Sequence, residues 1–138
     1  MNEKELIIEA IEARKRAYTP YSHFKVGAAL LTNSGEVIRG CNIENASYGA
    51  TNCAERTAFF KAVSEEKKNF SAIAIVGGIE SEEDTFSGYA YPCGICRQVM
   101  REFCKPDFKV IIAKSIDEYK VFTLDEILPN SFGPENLA

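Results

Sequence analysis

The 138-residue chain lacks a long hydrophobic run, a positive net charge and an apolar leader, and each absence argues against a class of protein. Its best apolar run, residues 72–76, is strand-sized, whereas a membrane helix needs about 20 residues. The net charge of −4 provides no basic surface for a long nucleic acid. The charged N-terminal residues 1–6 do not resemble a secretory signal. We therefore expect a cytoplasmic protein with neither a membrane nor a nucleic acid as partner.

The chain also lacks internal repeats and any linker-like segment. Apolar residues make up 46% and charged residues 26% of the sequence, close to the averages for soluble globular domains. A chain of this length fits one ordinary domain. The prediction is a single domain spanning residues 1–138.

Hydrophobic periodicity predicts three helices separated by strands. The helices are predicted at residues 3–17, 54–64 and 94–103, and a single helical turn at 124–128. The strands are predicted at residues 26–31, 36–40, 71–76, 108–112 and 119–122, the first two forming a hairpin. Helices that alternate with strands act as crossover connections, so we expect a mixed sheet with helices on both faces.

Three of the five cysteines precede or open the second and third predicted helices. Cys93 and Cys96 are separated by about 60° around a helix, so both sulfurs can reach one metal ion. Cys53 stands at the start of the other helix, and a helix N-terminus favours thiolate over thiol. Three thiolates leave one position of a tetrahedral zinc free for water, which is the pattern of a catalytic site.

Glu55 lies two residues after Cys53, and this spacing carries a structural prediction. Within a regular helix, the two side chains would point about 200° apart. Both can face one site only when Cys53 is the N-cap, where the backbone is not yet helical. Glu55 then lies beside the metal without binding it, as a proton carrier does.

Other interpretations of these residues remain open at this point. A lone C-x-x-C is also found in thioredoxin-like redox pairs and in half of a zinc ribbon, although a ribbon needs a second such motif. Cys41 and Cys104 are predicted to be small buried residues. His23, the only histidine, is either a ligand, a general base or a structural residue, and the third is favoured.

Four segments together resemble the small homotetrameric cytidine deaminases, in the order found in that family. They are YSHFKVGAA at 21–29, NIENASYG at 42–49, CAERTA at 53–58 and PCGICRQV at 92–99. C-x-E followed by P-C-x-x-C is the Cys₃ form of the zinc-deaminase signature. The resemblance implies a three-layer α/β/α fold with a mixed five-stranded sheet, and a homotetramer whose subunits share active sites.

The resemblance also implies a role for each residue of the site. The zinc ligands are Cys53, Cys93 and Cys96, for one zinc per chain; Glu55 transfers protons; the substrate-binding residues are Phe24, Asn42, Glu44, Ala46, Tyr48 and Phe132. Asn42 and Glu44 would bind the ribose hydroxyls, and Phe24 would line the base pocket. Ala46 and Tyr48 would enter a neighbouring subunit's site, and Phe132 would stack on the pyrimidine from another subunit. Ordinary C-terminal packing is the alternative for Phe132.

Two further positions carry predictions. Three thiolates and Zn²⁺ sum to −1, so a guanidinium from Arg56 that donates to the sulfurs would withdraw charge and keep the metal acidic. A surface salt bridge is the alternative role of Arg56. Tyr91 stands where the family often has Ser, Thr or Ala before the proline, which raises the question of how the larger ring fits.

The implied activity is zinc-dependent hydrolytic deamination of cytidine and 2′-deoxycytidine to uridine and 2′-deoxyuridine, with release of ammonia, in pyrimidine salvage. A blasticidin-S deaminase shares C-x-E and P-C-x-x-C-R-Q, but the intact segment Asn42–Tyr48 favours a nucleoside. A polynucleotide or transfer-RNA deaminase is disfavoured by the acidic charge and by a cysteine where histidine is expected. A non-catalytic zinc module would leave Glu55, Asn42 and Glu44 without a role.

Overall fold

The computed structural model describes residues 1–138 as four α-helices and five strands. In chain order they are α1 (Glu3–Arg14), β1 (Phe24–Thr32), β2 (Val37–Cys41), α2 (Ala54–Ser64), β3 (Phe70–Ile79), α3 (Gly94–Phe103), β4 (Lys109–Ala113), β5 (Tyr119–Thr123) and α4 (Leu124–Ile127). Short 3₁₀ turns occupy Tyr48–Ala50 and Pro134–Asn136. Each helix and strand predicted from the sequence is present. None of the helices is long and apolar enough to cross a membrane.

The five strands form one mixed sheet in the order β2-β1-β3-β4-β5. The hairpin β1–β2, the pair β1–β3 and the pair β4–β5 are antiparallel, and only β3 and β4 run parallel. A parallel pair needs a crossover connection, which α3 provides. The sheet predicted from the alternation of helices and strands is therefore confirmed.

Two hydrophobic cores lie on opposite faces of this sheet. On β3, Ile73 and Ile75 belong to the core that contains Phe59 of α2 and Met100 of α3. The alternate residues of the same strand, 72, 74 and 76, belong to a second core with Leu6 and Ile7 of α1. Since successive side chains of a strand point to opposite faces, α1 covers one face and α2 with α3 covers the other. This is the three-layer α/β/α arrangement that the sequence predicts.

The first helix is shorter than predicted, ending at Arg14 and not at residue 17. The buried Arg14 guanidinium donates to four backbone carbonyls, those of Lys25, Gly78, Ile79 and Glu82. Beyond it the backbone tightens into i−3 hydrogen bonds, and Tyr18 then pairs with the chain on either side of Ile43. Through its bond to the Glu82 carbonyl, Arg14 also holds the acidic loop 80–87 against the end of α1.

Close contact between β2 and α2 fixes the start of α2. A Cβ atom on Gly40 would overlap the carbonyl oxygen of Ala54 and lie 2.5 Å from the nitrogen of Ala58. Only glycine permits this approach, because both atoms belong to the backbone of α2. The helix N-terminus that carries Cys53 and Glu55 therefore lies directly against the sheet.

Candidate active site

The three cysteines singled out in the sequence converge at two helix N-termini. Cys53 is the N-cap of α2, with φ −74° and ψ 156°, and Cys93 is the N-cap of α3, with φ −70° and ψ 170°. The extended backbone of Cys53 is the one that its spacing from Glu55 predicts, and Cys93 has the same conformation. The Cys93 sulfur accepts a hydrogen bond from the Cys96 backbone N–H at 3.4 Å. Each helix thus directs its first side chain toward the same point.

The distances between the sulfurs fit a zinc ion. Cys93 Sγ lies 3.4 Å from Cys96 Sγ and 3.9 Å from Cys53 Sγ, and all three sulfurs lie within 4.8 Å of one another. With Zn–S bonds of about 2.3 Å and tetrahedral angles, the sulfurs of a zinc site stand about 3.8 Å apart. A thioredoxin-like pair would account for only two of these sulfurs. The donor set therefore has the chemistry and spacing of a three-thiolate zinc site.

Glu55 occupies the second position of α2, and its side chain is buried beside the sulfurs. The residue is 5% exposed, and it lies outside the cluster whose atoms could bind a metal. Burial raises the pKa of its carboxyl to about 7, and the nearby Cys53 adds to the increase. A carboxyl with a pKa near neutrality exchanges protons readily in both directions. This position suits a group that transfers protons without binding the metal.

Arg56 contacts the sulfur cluster, which is the first of the two roles predicted for it, and it forms no surface salt bridge. Its Nη2 atom lies 3.3 Å from Cys53 Sγ. A hydrogen bond from the Cys96 thiol, and then the Arg56 guanidinium, lower the pKa of Cys53 to about 5 against the opposing effect of burial. The same pairing, together with burial, raises the pKa of Cys96. The guanidinium thus stabilises negative charge on the sulfurs.

The residues proposed for the ribose lie together near the start of β1. Asn42 Oδ1 accepts from the Val26 N–H at 2.8 Å, and its Nδ2 donates to the Phe24 carbonyl at 2.9 Å. One N–H and one oxygen lone pair of this amide are left for a ligand. Asn42 and Phe24 are therefore in one hydrogen-bonded unit, with the Phe24 ring 40% exposed.

Glu44 is held by Ser22, a residue to which sequence reasoning gave no role. The carboxylate accepts from the backbone N–H groups of Tyr21 and Ser22 at 3.0 and 3.1 Å, and from the Ser22 hydroxyl. The Ser22 hydroxyl is the main reason why the pKa of Glu44 is lowered. The ionised carboxylate is thus fixed in direction and retains acceptor capacity for a hydroxyl donor. The only sequence signal for Ser22 is its place inside the segment 21–29.

The loop that carries Ala46 and Tyr48 is closed at its base by paired backbone hydrogen bonds between Ile43 and Asn52. The Tyr48 ring is 76% exposed and packs edge-on against Tyr21, with 6.2 Å between ring centroids. A cleft of about 400 Å³ is lined by Tyr21, Ser22, Glu44, Tyr48 and Thr51. None of the three cysteines lines this cleft. Within one chain, therefore, Tyr48 shares a cleft with Glu44 and not with the metal centre.

Phe132 lies in the C-terminal segment and is 58% exposed. This exposure argues against ordinary packing as the role of the ring. Its backbone carbonyl accepts a hydrogen bond of 2.9 Å from Gln98 Nε2, on the helix that Cys93 caps. The segment is therefore attached to α3 while the ring faces outward.

The remaining two cysteines and the histidine lie outside the group of three cysteines that could bind a metal. Cys104 is buried and Cys41 is half-buried, and burial raises the pKa of both thiols. His23 has a left-handed backbone with φ 57°, and its Nδ1 lies 3.4 Å from the Glu80 carboxylate. This placement argues against His23 as a metal ligand, and its structural role stays a prediction.

The Tyr91 ring is accommodated on the surface beside β5. Its hydroxyl accepts from Lys120 Nζ at 3.2 Å, and its ring packs against Phe122 with 6.4 Å between centroids. The side chain is thus held by β5, which explains how a large ring fits before Pro92.

Comparisons with known proteins agree with this geometry. The family model for the cytidine and deoxycytidylate deaminase zinc-binding region matches residues 1–113. The cytidine deaminase of Halalkalibacterium halodurans is 50% identical over 137 residues, which cover 99% of this chain and 98% of that protein. The cytidine deaminase of Sporosarcina psychrophila is 46% identical over 138 residues, covering 100% and 96%. The crystal structure of cytidine deaminase from Burkholderia pseudomallei superposes with a TM-score of 0.86 at 47% identity, covering 96% of this chain and 100% of that one.

Proposed function

The chain belongs to the cytidine and deoxycytidylate deaminase family, and from this we propose that it catalyses hydrolysis of cytidine and 2′-deoxycytidine to uridine and 2′-deoxyuridine with release of ammonia. The observation that carries the proposal is the convergence of three cysteine sulfurs beside a buried carboxyl, Glu55. The physiological setting we propose is pyrimidine salvage in the cytoplasm.

We assign one zinc ion per chain to Cys53, Cys93 and Cys96, whose sulfurs lie within 4.8 Å of one another. The metal, when bound, supplies a Lewis acid that makes a water molecule nucleophilic near neutral pH. Arg56 offsets the negative charge of the three thiolates by donating to Cys53. Because excess charge on the ligands weakens a Lewis acid, this contact favours the reaction.

Glu55 moves the protons of the reaction. Its carboxylate accepts a proton from the attacking water and delivers it to N3 of the pyrimidine, which makes C4 electrophilic. The second proton of the water then passes through the same carboxyl to the amino group, which leaves as ammonia. A pKa of about 7 allows Glu55 to act as base and as acid in one turnover.

Asn42, Glu44 and Phe24 orient the nucleoside. The free N–H of the Asn42 amide and the carboxylate of Glu44 would bind the ribose hydroxyls, an arrangement suited to a diol. The Phe24 ring would line the base pocket. Ser22 holds the Glu44 carboxylate, and the backbone of β1 holds the Asn42 amide, before a ligand binds. The loss of side-chain entropy on binding is therefore small.

We propose that the protein is a homotetramer in which Ala46, Tyr48 and Phe132 complete neighbouring active sites. Tyr48 and Phe132 are 76% and 58% exposed, which leaves both rings available to another subunit. In addition, the cleft that Tyr48 lines includes none of the three cysteines of its own chain.

An ultraviolet assay of purified protein tests the reaction class. The spectra of cytidine and 2′-deoxycytidine should change to those of uridine and 2′-deoxyuridine, with stoichiometric release of ammonia. Blasticidin S and cytosine-containing oligonucleotides, assayed at the same concentration, should react far more slowly. A preference for blasticidin S or for the oligonucleotide would replace the proposed substrate class, and no reaction with any of them would favour a non-catalytic zinc module.

A second experiment tests whether active sites are shared. We expect that Glu55→Gln chains refolded together with Phe132→Ala chains are more active than the sum of the separately refolded variants. Mixed assemblies contain some sites with Glu55 from one chain and Phe132 from the other, and these sites have the wild-type composition. Aromatic stacking on a base is worth about 1–3 kcal/mol, so the Phe132→Ala defect is measurable.

The formation of mixed assemblies is verified by native mass spectrometry of differently tagged chains. The matched control is a mixture of Glu55→Gln chains with Glu55→Gln/Phe132→Ala chains, in which no site regains a wild-type composition. Strictly additive activity in a verified mixed assembly would mean that Phe132 acts within its own subunit.

A further inference from the structure

A polar face of α3 contacts the C-terminal segment at several points. Arg101 lies four residues after Arg97 and three residues after Gln98, so its side chain adjoins both of theirs on the helix surface. Arg97 donates to the backbone carbonyls of Pro92 and Ile127, both at 2.8 Å. This residue therefore links the start of the cysteine-bearing helix to the end of α4.

Gln98 and Arg101 hold the chain on both sides of the Phe132 ring. Gln98 Nε2 donates to the Phe132 carbonyl at 2.9 Å. Arg101 Nε donates to Ser131 Oγ at 2.9 Å, and both terminal nitrogens of the guanidinium pair with the Glu135 carboxylate. The Arg101 side chain is 17% exposed and the Glu135 side chain is 63% exposed, so the guanidinium is shielded from water whereas the carboxylate is not.

The residue after Phe132 is packed against the same guanidinium. A Cβ atom on Gly133 would overlap Nη1 and Cζ of Arg101. The Gly133 N–H donates to Asn136 Oδ1 at 2.8 Å, which starts the 3₁₀ turn that carries Glu135. The backbone from 131 to 135 is thus fixed by polar contacts, whereas the Phe132 ring itself remains largely exposed.

We propose that Gln98 and Arg101 are positioning residues that set the direction in which the Phe132 ring is presented to the pyrimidine. The inference rests on the proposed stacking role of Phe132. Because the ring is mostly exposed, its direction is set by the backbone that these two residues anchor. Neither residue touches the substrate, and both act only through Phe132.

A double-mutant cycle tests this dependence. We expect Phe132→Ala to lower kcat/KM by about 5- to 150-fold, the range that corresponds to the loss of one base-stacking contact. Arg101→Ala and the near-isosteric Gln98→Leu should each lower kcat/KM, chiefly through a higher KM, because stacking stabilises substrate and transition state alike. In a Phe132→Ala background, either second change should alter kcat/KM by no more than about twofold.

A fluorescent reporter gives a readout that does not depend on activity. The chain contains no tryptophan, so Phe132→Trp introduces a single indole ring at the position of interest. We expect Arg101→Ala and Gln98→Leu, each made in the Phe132→Trp background, to lower the fluorescence anisotropy of this indole and to increase its quenching by acrylamide. Arg101→Lys should restore part of the order, because lysine still pairs with Glu135 but cannot hold Ser131 at the same time.

Arg39→Ala is the matched control, since it also removes an Arg–Glu pair, with Glu9, but lies on β2 away from the tail. It should leave KM and the reporter unchanged. If Phe132→Ala has no effect, the stacking role of Phe132 is wrong. If Phe132→Ala acts but Arg101→Ala and Gln98→Leu change neither KM nor the reporter, or add fully to Phe132→Ala, the positioning role is wrong.

Discussion

Glu55→Gln is expected to lower kcat by about 10²- to 10⁴-fold while the protein keeps its zinc and its fold, since this is the usual contribution of a general acid–base group. Glutamine has the same shape as glutamate, but it cannot accept the proton of the attacking water. Glu55 lies outside the cluster of possible metal ligands, so zinc binding should not depend on it. The side chain is almost fully buried, which makes an isosteric replacement the appropriate change.

The measurement combines steady-state kinetics on cytidine with metal analysis and thermal unfolding of the same samples. Glu5→Gln is the matched control, because Glu5 is an exposed residue of α1 and undergoes the same chemical change. It should retain the wild-type rate. If Glu55→Gln keeps more than about a tenth of the rate, or if it loses its zinc, Glu55 is not a proton carrier of the kind proposed.

The sequence was sufficient to predict the helices and strands and the convergence of Cys53, Cys93 and Cys96, because both depend on local spacing. Residues 72–76 of β3 are all apolar, as in a strand that is buried on both faces, and residues 73 and 75 belong to one core whereas 72, 74 and 76 belong to the other. The two-residue spacing of Cys53 and Glu55 is compatible with a common site only when Cys53 is an N-cap, and the backbone at Cys53 is extended. The spacing of these two residues was therefore enough to predict the backbone conformation at Cys53.

Contacts to backbone carbonyls could not be predicted in the same way. Every residue offers a similar carbonyl, so nothing in the sequence shows that Arg14 donates to residues 25, 78, 79 and 82. The early end of α1 follows from these contacts and from the pairing of Tyr18 with the segment around Ile43. Helical periodicity alone continues to Ala17, which is also buried, and so it predicts a longer helix.

The hydrogen bonds that hold Glu44 and the segment around Phe132 could not be predicted for a related reason. Ser22 and Arg101 act on partners 22 and 34 residues away, and those separations are set by the path of the chain between them. A signal was present in the spacing of Arg97, Gln98 and Arg101, which places Arg101 beside each of the other two on the surface of α3. The sequence does not show that the C-terminal segment covers that face.

Removal of any one zinc ligand is expected to abolish activity. Cys53→Ala, Cys93→Ala and Cys96→Ala should each lose most of their zinc, because each removes one of the three sulfurs that lie within 4.8 Å of one another. With two thiolates left, the site no longer holds the metal in the geometry that activates water. Metal analysis after dialysis, together with the rate of cytidine conversion, measures both effects on one sample.

Cysteines outside the cluster provide the matched controls. Cys41→Ser and Cys104→Ser should keep one zinc per chain, although serine at the buried position 104 should lower the free energy of unfolding because it places a hydroxyl among apolar atoms. Treatment with a chelator distinguishes a loss of zinc binding from a loss of packing in the core. A ligand present at about 1,000 times its Kd stabilises the folded state by about 4 kcal/mol, and chelation removes this contribution. Chelation should therefore lower Tm in the wild type, in both serine variants and in Glu55→Gln, and should leave Tm unchanged in the three alanine variants. Loss of zinc in Cys41→Ser, or a chelator effect on Tm that persists in Cys53→Ala, would show that the metal is held by a different set of residues.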